Sequence, residues 1–217
     1  MKENTIPLPR NDVADRIAQR SLESREAQYA TEVRALLDAA RAVMRSCGTA
    51  SRPRVADIVA AAGLSNEAFY RHFRSKDALV AAIMEDGAER LCGYLAHQMA
   101  KEPTPEGKVR RWVEGVLSQA MDDDTAATTL AVMWNASSVA EGFLAGPPSA
   151  AGMLATLLQA PYAELGSENP DLDTSLAAHA TVGRLADHLW RRERPTAADV
   201  DHITRFLLRT VDQEVGP

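Results

Sequence analysis

Hydrophobic residues recur at the three-to-four-residue spacing of amphipathic helices along nearly the whole chain. One such stripe leads up to Gly48 and consists of Val33, Leu36, Leu37, Ala40, Val43 and Met44. Another leads towards Lys101 and consists of Leu79, Val80, Ile83, Met84, Leu91 and Leu95. This spacing gives a helix one apolar face, and no stretch shows the two-residue alternation of a convincing strand. The pattern therefore predicts an all-α fold.

The second half of the chain continues the helical pattern in five further segments. They cover residues 104–121, a segment opening after Asp122-Asp123-Asp124, and residues 149–164, 172–192 and 196–213. Gly146-Pro147-Pro148 interrupts the pattern before the third segment, and Pro195 separates the last two. Glycine ends helices because it gives the backbone more conformational freedom, and proline ends them because it lacks a backbone N–H donor. We expect about nine helices in total.

The stretch between the two stripes, VADIVAAAGLSNEAFYRHFRSKDAL (residues 55–79), combines two short helices with a tight turn. Gly63 stands where the chain leaves the first helix, a position that favours a left-handed backbone. Ser65 is a natural N-cap for the second helix, and Glu67 suits the positive end of its dipole. A helix, a glycine-containing turn and a second capped helix together form a helix-turn-helix.

The second helix of this motif has one apolar face and one polar face. Phe69 and Phe73 are four residues apart and are expected to hold the helix against the domain core. The polar face and the following cap offer Asn66, Glu67, Tyr70, Arg71, His72, Ser75 and Lys76. Asn pairs well with adenine, whereas Arg, Tyr, Lys and Ser contact phosphates. A helical hairpin with an ordinary solvated face is the alternative, but the aromatic and cap spacing favours DNA binding.

The segment AGLSNEAFYRHFRSKDAL resembles the signature of the TetR (tetracycline-repressor) family of bacterial regulators. Its Gly, Ser, Phe-Tyr, Phe, Lys and Leu positions fall in the family's order and spacing, and the resemblance runs from about Leu36 to Ile83. It implies an N-terminal three-helix DNA-binding domain and a C-terminal helical effector-binding and dimerisation domain. We therefore expect an N-terminal extension over residues 1–28, a helix-turn-helix domain over 29–78 and the helical effector domain over 79–217.

The resemblance also assigns roles to the polar residues of the motif. Phosphate-contacting positions fall on Tyr70, His72 and Lys76, and positions that meet base edges fall on Asn66, Glu67, Ala68 and Arg71. Where the family often has a pair of threonines, this chain has Pro53-Arg54, so Arg54 is expected to replace a hydroxyl contact to phosphate with a charged one. Glu67 has two open roles, since it either accepts from a cytosine amino group or serves only the helix dipole.

The charge distribution changes the picture that the net charge alone would give. The whole chain has a formal charge of −6, which argues against nucleic acid. Residues 1–80, however, hold 13 Lys and Arg against 10 Asp and Glu, whereas residues 81–217 hold 11 against 20. The positive charge is thus concentrated around the motif, as a DNA-binding surface requires.

The N-terminal extension leaves two interpretations open. Arg10, Arg16, Arg20 and Arg25 form either a basic arm that contacts the minor groove or, with the acidic residues between them, a solvated helical face. The interleaved acidic residues favour the solvated face.

Two cysteines, Cys47 and Cys92, are too few for a disulfide framework, and no signal peptide or twenty-residue apolar run is present. A cytoplasmic protein without a membrane segment is expected. Cys47, beside Gly48, is either a buried small hydrophobe, which we favour, or a redox-sensitive thiol.

The last two predicted helices carry more apolar surface than a terminal hairpin needs. One is rich in small residues, Ala177, Ala178, Ala180, Gly183 and Ala186, and the other carries Val200, Ile203, Phe206, Leu207 and Val211. We expect these helices to form a four-helix homodimer interface, with packing inside one monomer as the alternative. A dimer also suits DNA reading, because two recognition helices must reach half-sites about 34–36 Å apart.

No motif of enzymatic chemistry is apparent. The chain has no Gly-rich phosphate loop, no metal-ligand spacing and no nucleophile motif, so we expect neither enzymatic activity nor a metal or cofactor. An apolar pocket with a polar handle is expected instead, lined by Trp112, Met133, Trp134, Tyr162 and His179. Core packing is the alternative explanation for each of these residues.

These observations predict a homodimeric transcriptional regulator, a repressor that binds a palindromic operator in double-stranded DNA. An unknown small-molecule effector is expected to tilt the long helix after the motif and so release the DNA. Two rivals remain, each with a vestigial helix-turn-helix: a ligand-binding or enzymatic helical bundle, and a protein-interaction adaptor.

Overall fold

The computed structural model describes residues 13–137 and 150–211, and every regular element in these two ranges is a helix, which confirms the all-α prediction. The ten α-helices are α1 (Val13–Cys47), α2 (Val55–Ala62), α3 (Asn66–His72), α4 (Lys76–Met99), α5 (Pro105–Leu117), α6 (Asp123–Ser137), α7 (Ala150–Ala155), α8 (Gln159–Glu164), α9 (Pro170–Arg191) and α10 (Ala197–Arg209). Short 3-10 turns cover Ser118–Ala120 and Thr156–Leu158.

The first four helices form an N-terminal core around side chains that the sequence stripes predicted. Leu36, Ala40 and Met44 of α1 are fully buried there with Ile58 and Phe69. The first two turns of α4 contribute Leu79, Val80 and Ile83 to the same core, and α6 contributes Ala131. The N-terminal core therefore continues past residue 78 into α4 and docks on α6.

Helix α1 begins well before residue 29, the predicted start of the helix-turn-helix domain. It runs without a break from Val13, and residues 13–29 are all exposed, so more than half of the predicted N-terminal extension is a projecting helix. The helix ends at Cys47, and the following Gly48 has a φ of +56°, a left-handed conformation that glycine adopts without strain. Arg10 and the rest of residues 1–12 lie outside the described residues.

The C-terminal helices surround a second core centred on Trp112 of α5. Trp112, Val113 and Val116 are fully buried, together with Leu158 of the second 3-10 turn and Tyr162 of α8. Helices α9 and α10 close this core with side chains that include Ala178, Leu189 and Leu207. Because α4 contributes Leu95 and Met99 here, it joins the two cores as one continuous helix.

Most predicted helix boundaries agree with the structure to within a few residues. The segment predicted as one helix over 149–164 consists instead of α7, a 3-10 turn and α8. The last helix ends at Arg209, four residues before the predicted end at residue 213. The predicted break at Gly146-Pro147-Pro148 lies outside the described residues. No helix in the described part of the chain is both long and apolar enough to cross a membrane.

Candidate functional site

The turn between α2 and α3 is built from two local caps. Gly63 ends α2 with a φ of +66°, and its N–H donates to the Ala60 carbonyl at 3.3 Å. Ser65 begins α3, where its Oγ accepts from the Ala68 N–H at 3.1 Å. Ser75 repeats this cap for α4 by accepting from the Ala78 N–H at 3.1 Å. The predicted helix-turn-helix and its caps are therefore present.

Two aromatic side chains hold α3 against the N-terminal core. Phe69 is fully buried and Phe73 nearly so, with their ring centroids 5.9 Å apart. Tyr70 lies against the edge of Phe69 at 5.2 Å between centroids, yet remains 60% exposed. The neighbouring Asn66 and Glu67 are exposed as well, so the outward face of α3 presents polar groups on a rigid base.

Two of the predicted DNA contacts point into the protein. Ala68 is 6% exposed because it lies on the same side of α3 as Phe69. The His72 side chain is only 1% exposed, since it packs edge-on against Tyr29 of α1 and its Nε2 donates to Glu32 Oε2 at 2.7 Å. This geometry removes both residues from the outward surface, in contrast to the roles that the family resemblance gave them.

Glu32 is the residue at this site that sequence analysis missed. The same Oε2 that accepts from His72 also accepts from Arg71 Nη2 at 2.8 Å, and Oε1 accepts from Gln28 at 3.1 Å. Hydrogen bonds from His72, Arg71 and Gln28, in that order of effect, lower the pKa of Glu32 to about 2. One carboxylate of α1 thus fixes the C-terminal turn of α3 and holds Arg71 on the α1 side.

The remaining predicted DNA contacts lie around this helix. Arg54 stands at the N-cap position of α2, largely exposed, and its guanidinium donates twice to Asp57 at 2.9 and 3.0 Å. These hydrogen bonds lower the pKa of Asp57 and raise that of Arg54. Lys76 is half-buried in the first turn of α4. A basic side chain therefore stands at the start of the helix before α3 and another at the start of the helix after it.

A cavity of about 530 Å³ lies between the two cores. Its walls come from α1, α4, α6, α7 and α9, with apolar side chains that include Leu91, Leu154 and Leu185. A volume between about 300 and 1,000 Å³ is typical of sites for small organic ligands. This cavity is therefore the candidate effector site.

The cavity differs from the pocket that the sequence predicted. Of the five predicted lining residues, only Met133 contributes to it. Trp112 and Tyr162 are fully buried core residues whose polar atoms donate to the carbonyls of Leu154 and Leu207.

The other two predicted lining residues also lie elsewhere. Trp134 lies beneath the guanidinium of Arg52 at 5.8 Å, and His179 is exposed on α9, with Nδ1 2.7 Å from the Ser175 carbonyl. Trp112 and Tyr162 thus have the core packing that was the alternative explanation, whereas Trp134 and His179 belong neither to the cavity wall nor to the buried cores.

No group of three or more His, Cys, Asp or Glu side chains in the described ranges is arranged to hold a metal ion. Both cysteines are free thiols of intermediate exposure, and burial raises the pKa of Cys92.

Residues 36–83 match the family model described as bacterial regulatory proteins of the tetR family. No curated protein matches the sequence. Among solved structures, the fold is similar to a putative TetR-family transcriptional regulator from Mesorhizobium loti (TM-score 0.60, 17% identity, covering 84% of this chain and 96% of that chain). A TetR-family regulator from Pectobacterium atrosepticum gives a TM-score of 0.57 at 22% identity, with 86% and 93% of the chains covered. RolR in complex with resorcinol gives 0.58 at 17% identity, with 87% and 91% covered.

Proposed function

We propose that this chain, a TetR-family protein by the match of residues 36–83 and by its fold, acts as a transcriptional repressor. In this proposal a homodimer binds a palindromic operator, and a small-molecule effector releases it. The protein has no enzymatic role of its own and works in the cytoplasm, where its DNA is. The outward face of α3 is the observation that carries the proposal.

The exposed face of α3 has the chemistry of a short recognition helix. Asn66 and Glu67 stand at its N-terminal end, where recognition helices meet base edges, and an Asn amide matches the donor and acceptor of adenine. Tyr70 and Lys76 follow as phosphate contacts, and Arg54 extends these contacts from the start of α2. Ser65 caps the helix through its Oγ and donates its hydroxyl hydrogen to a phosphate.

Arg71 has a conditional role in this surface. Its ion pair with Glu32 keeps the guanidinium away from the tip of α3. Because the side chain is about half exposed, DNA can attract it away from Glu32 at little desolvation cost. His72 and Ala68 serve the proposal only as packing that orients the helix.

The dimer interface is proposed on the exposed apolar side of α9 and α10. Leu172, Leu176 and Trp190 are each more than half exposed and share one face of α9, and Phe206 of α10 is similarly exposed. Ala180 and Gly183 lie between them on that face, where small residues permit close helix approach. Ala178 and Leu207, which sequence analysis counted towards this interface, pack inside the monomer instead.

The route from effector to DNA is proposed to run through α4 and α1. Both helices belong to the N-terminal core and both also line the cavity. A ligand that fits the cavity in only one arrangement of these helices shifts the population towards that arrangement. The protein is released from DNA when the distance between the two recognition helices in the favoured arrangement no longer matches the spacing of the operator half-sites.

The test is gel mobility shift of promoter fragments from the protein's own gene across a range of salt concentrations. Lys76→Ala removes two phosphate contacts from a dimer, so the slope of log affinity against log salt should fall by about 2. Tyr70→Phe, which loses only the hydroxyl, should also weaken operator binding relative to the wild type. Lys101→Ala is the matched control, because this lysine follows the other end of α4.

An unchanged slope for Lys76→Ala would contradict the proposed interface. Absence of any shift by the wild-type protein would favour the helical bundle or the adaptor over a regulator. A steep salt dependence without preference for any fragment would indicate non-specific binding only.

A further inference from the structure

The effector cavity has an uneven distribution of charge along its wall. Four charged side chains line it: Arg41 and Arg45 from α1, Arg90 from α4, and Asp124 from α6. Helices α7 and α9 contribute apolar side chains to the wall, including Leu154, Val182 and Leu185. Three cations against one anion, together with apolar side chains of α4, α6, α7 and α9, match a ligand that is itself divided into an anionic and an apolar part.

The three arginines lie close together but are not equally available. Arg41 is largely buried, and its guanidinium is held by Asp38 at 2.7 Å and by Asp86. Arg90 reaches the same Asp86 Oδ2 at 3.4 Å from its Nε. Arg41 and Arg90 therefore form one network around Asp86, in which Arg41 already has two carboxylate partners.

Arg45 is the arginine with the weakest partner. It lies one helical turn after Arg41, and its Nη1 is 3.6 Å from Asp124 Oδ1, which is beyond a good hydrogen bond. Asp124 itself is 84% exposed and therefore well solvated without this contact. A ligand anion inside the cavity therefore needs to displace only this weak contact with Asp124 to become the main partner of Arg45.

We propose that the effector is an amphiphilic monoanion, with a carboxylate or similar group at Arg45 and an apolar body directed towards α7 and α9. Hydroxyls of Thr125, Thr128 and Thr129 on α6 line the same cavity and offer additional donors to the anionic group. Binding exchanges the Arg45–Asp124 contact between α1 and α6 for a contact between α1 and the ligand. The DNA-binding unit thus senses the ligand directly through its own first helix.

The ligand class is independent of DNA binding, whereas the regulatory consequence rests on the proposed function. Binding is therefore measured on the free protein, so that failure of the operator experiment leaves this test intact. The probes are decanoate, decanol and decyltrimethylammonium, which share one chain and differ in head-group charge. Isothermal titration calorimetry gives the affinity of each.

Decanoate should bind about tenfold or more tightly than decanol, as a charge-assisted hydrogen bond allows, and the cation should bind most weakly. Arg45→Gln should abolish this preference while leaving decanol affinity unchanged. Arg184→Gln is the control, because Arg184 is a similarly exposed arginine in an i,i+3 ion pair on α9, outside the cavity lining. Equal affinities for decanoate and decanol, or an unaltered preference in Arg45→Gln, would overturn the proposal.

A pair of glycine variants tests the location of the site without removing any charge. A Cβ atom added at Gly87, which lines the cavity, meets no atom within 4 Å, and the same holds at Gly93, which lies outside the lining on the same helix. Both Gly87→Leu and Gly93→Leu should raise the unfolding temperature, because glycine disfavours a helix interior. Only Gly87→Leu should lower decanoate affinity, by about tenfold or more, since its side chain would occupy part of the cavity and collide with the ligand. Undiminished binding by Gly87→Leu would place the ligand elsewhere and overturn the proposal.

Discussion

At the level of single residues, Glu32 decides how the recognition helix is presented. It is the shared acceptor for His72 and Arg71, two side chains that follow one another at the end of α3. Both contacts span about 40 residues of sequence, so no local pattern around Glu32 signals them. The family resemblance gave His72 a phosphate contact because a sequence motif records only residue types. It does not record that Glu32 and Tyr29, which are distant in sequence, bury this side chain.

The lowered pKa of Glu32 predicts acid sensitivity in a defined window. The carboxylate has a pKa of about 2 in the folded chain against 4.5 for the free group, so its contribution is complete above pH 4.5. That contribution is lost as the pH falls from 4.5 towards 2. Urea unfolding in this range should show a component of the pH dependence that Glu32→Gln lacks.

Glu23→Gln provides the control for that experiment. It makes the same change of charge on the same helix, at a residue whose hydrogen bond is to the exposed Gln19. If Glu32→Gln and Glu23→Gln had the same pH dependence as the wild type, Glu32 would not hold α3.

At the level of elements, short helices depend on their caps. Helix α3 has only seven residues, so its own backbone hydrogen bonds give it little stability. The N-cap hydrogen bond of Ser65 and the buried rings of Phe69 and Phe73 supply the stability that so short a helix lacks. These features are readable along the chain because caps and anchors involve neighbours in sequence, and the structure confirms Gly63, Ser65 and Ser75 in the predicted positions.

Two substitutions at Ser65 separate its cap from its proposed phosphate contact. Ser65→Ala should lower the free energy of unfolding by about 1 kcal/mol, whereas Ser65→Asp keeps an acceptor at the N-cap and should stay close to the wild type. Ser65→Asp should nevertheless weaken operator binding, because its carboxylate would face phosphate. Denaturant unfolding and gel mobility shift measure the two effects.

Each of the two Ser65 predictions would be contradicted by a different result. A fully stable Ser65→Ala would mean that the cap is dispensable. Wild-type operator affinity in Ser65→Asp would mean that Ser65 stays away from the DNA backbone.

At the level of the whole molecule, helix docking creates the features that sequence patterns do not contain. Arg41 and Arg45 line the cavity because α1 crosses α4 and α6, and nothing in the spacing along α1 distinguishes them from solvent-facing arginines. Trp112 and Tyr162 were assigned to a pocket because large aromatics line pockets and cores alike. The all-α class and the helix-turn-helix follow from periodicity and local chemistry, while the cavity follows only from the packing of distant helices.

The exposed apolar side of α9 and α10 makes a prediction about assembly. Leu176→Glu places a charge at a side chain that is 61% exposed in the monomer, so it should not disturb folding but should dissociate a dimer. Ile17→Glu is the matched control, since Ile17 has the same exposure on the projecting part of α1. Sedimentation equilibrium should show monomers for Leu176→Glu and dimers for Ile17→Glu.

A dimeric Leu176→Glu would exclude this face as the interface. Dissociation by Ile17→Glu would place the interface on the N-terminal helix instead.

The measurement that tests the central claim most directly is selection of binding sites from fragmented genomic DNA of the source organism by the purified protein, followed by sequencing. We expect enrichment of one inverted repeat, with half-sites whose centres are separated by about one helical turn or a multiple of it. The enrichment should be lost in Lys76→Ala and kept in Lys101→Ala. Recovery of fragments with no shared sequence, or an unchanged enrichment in Lys76→Ala, would contradict the account.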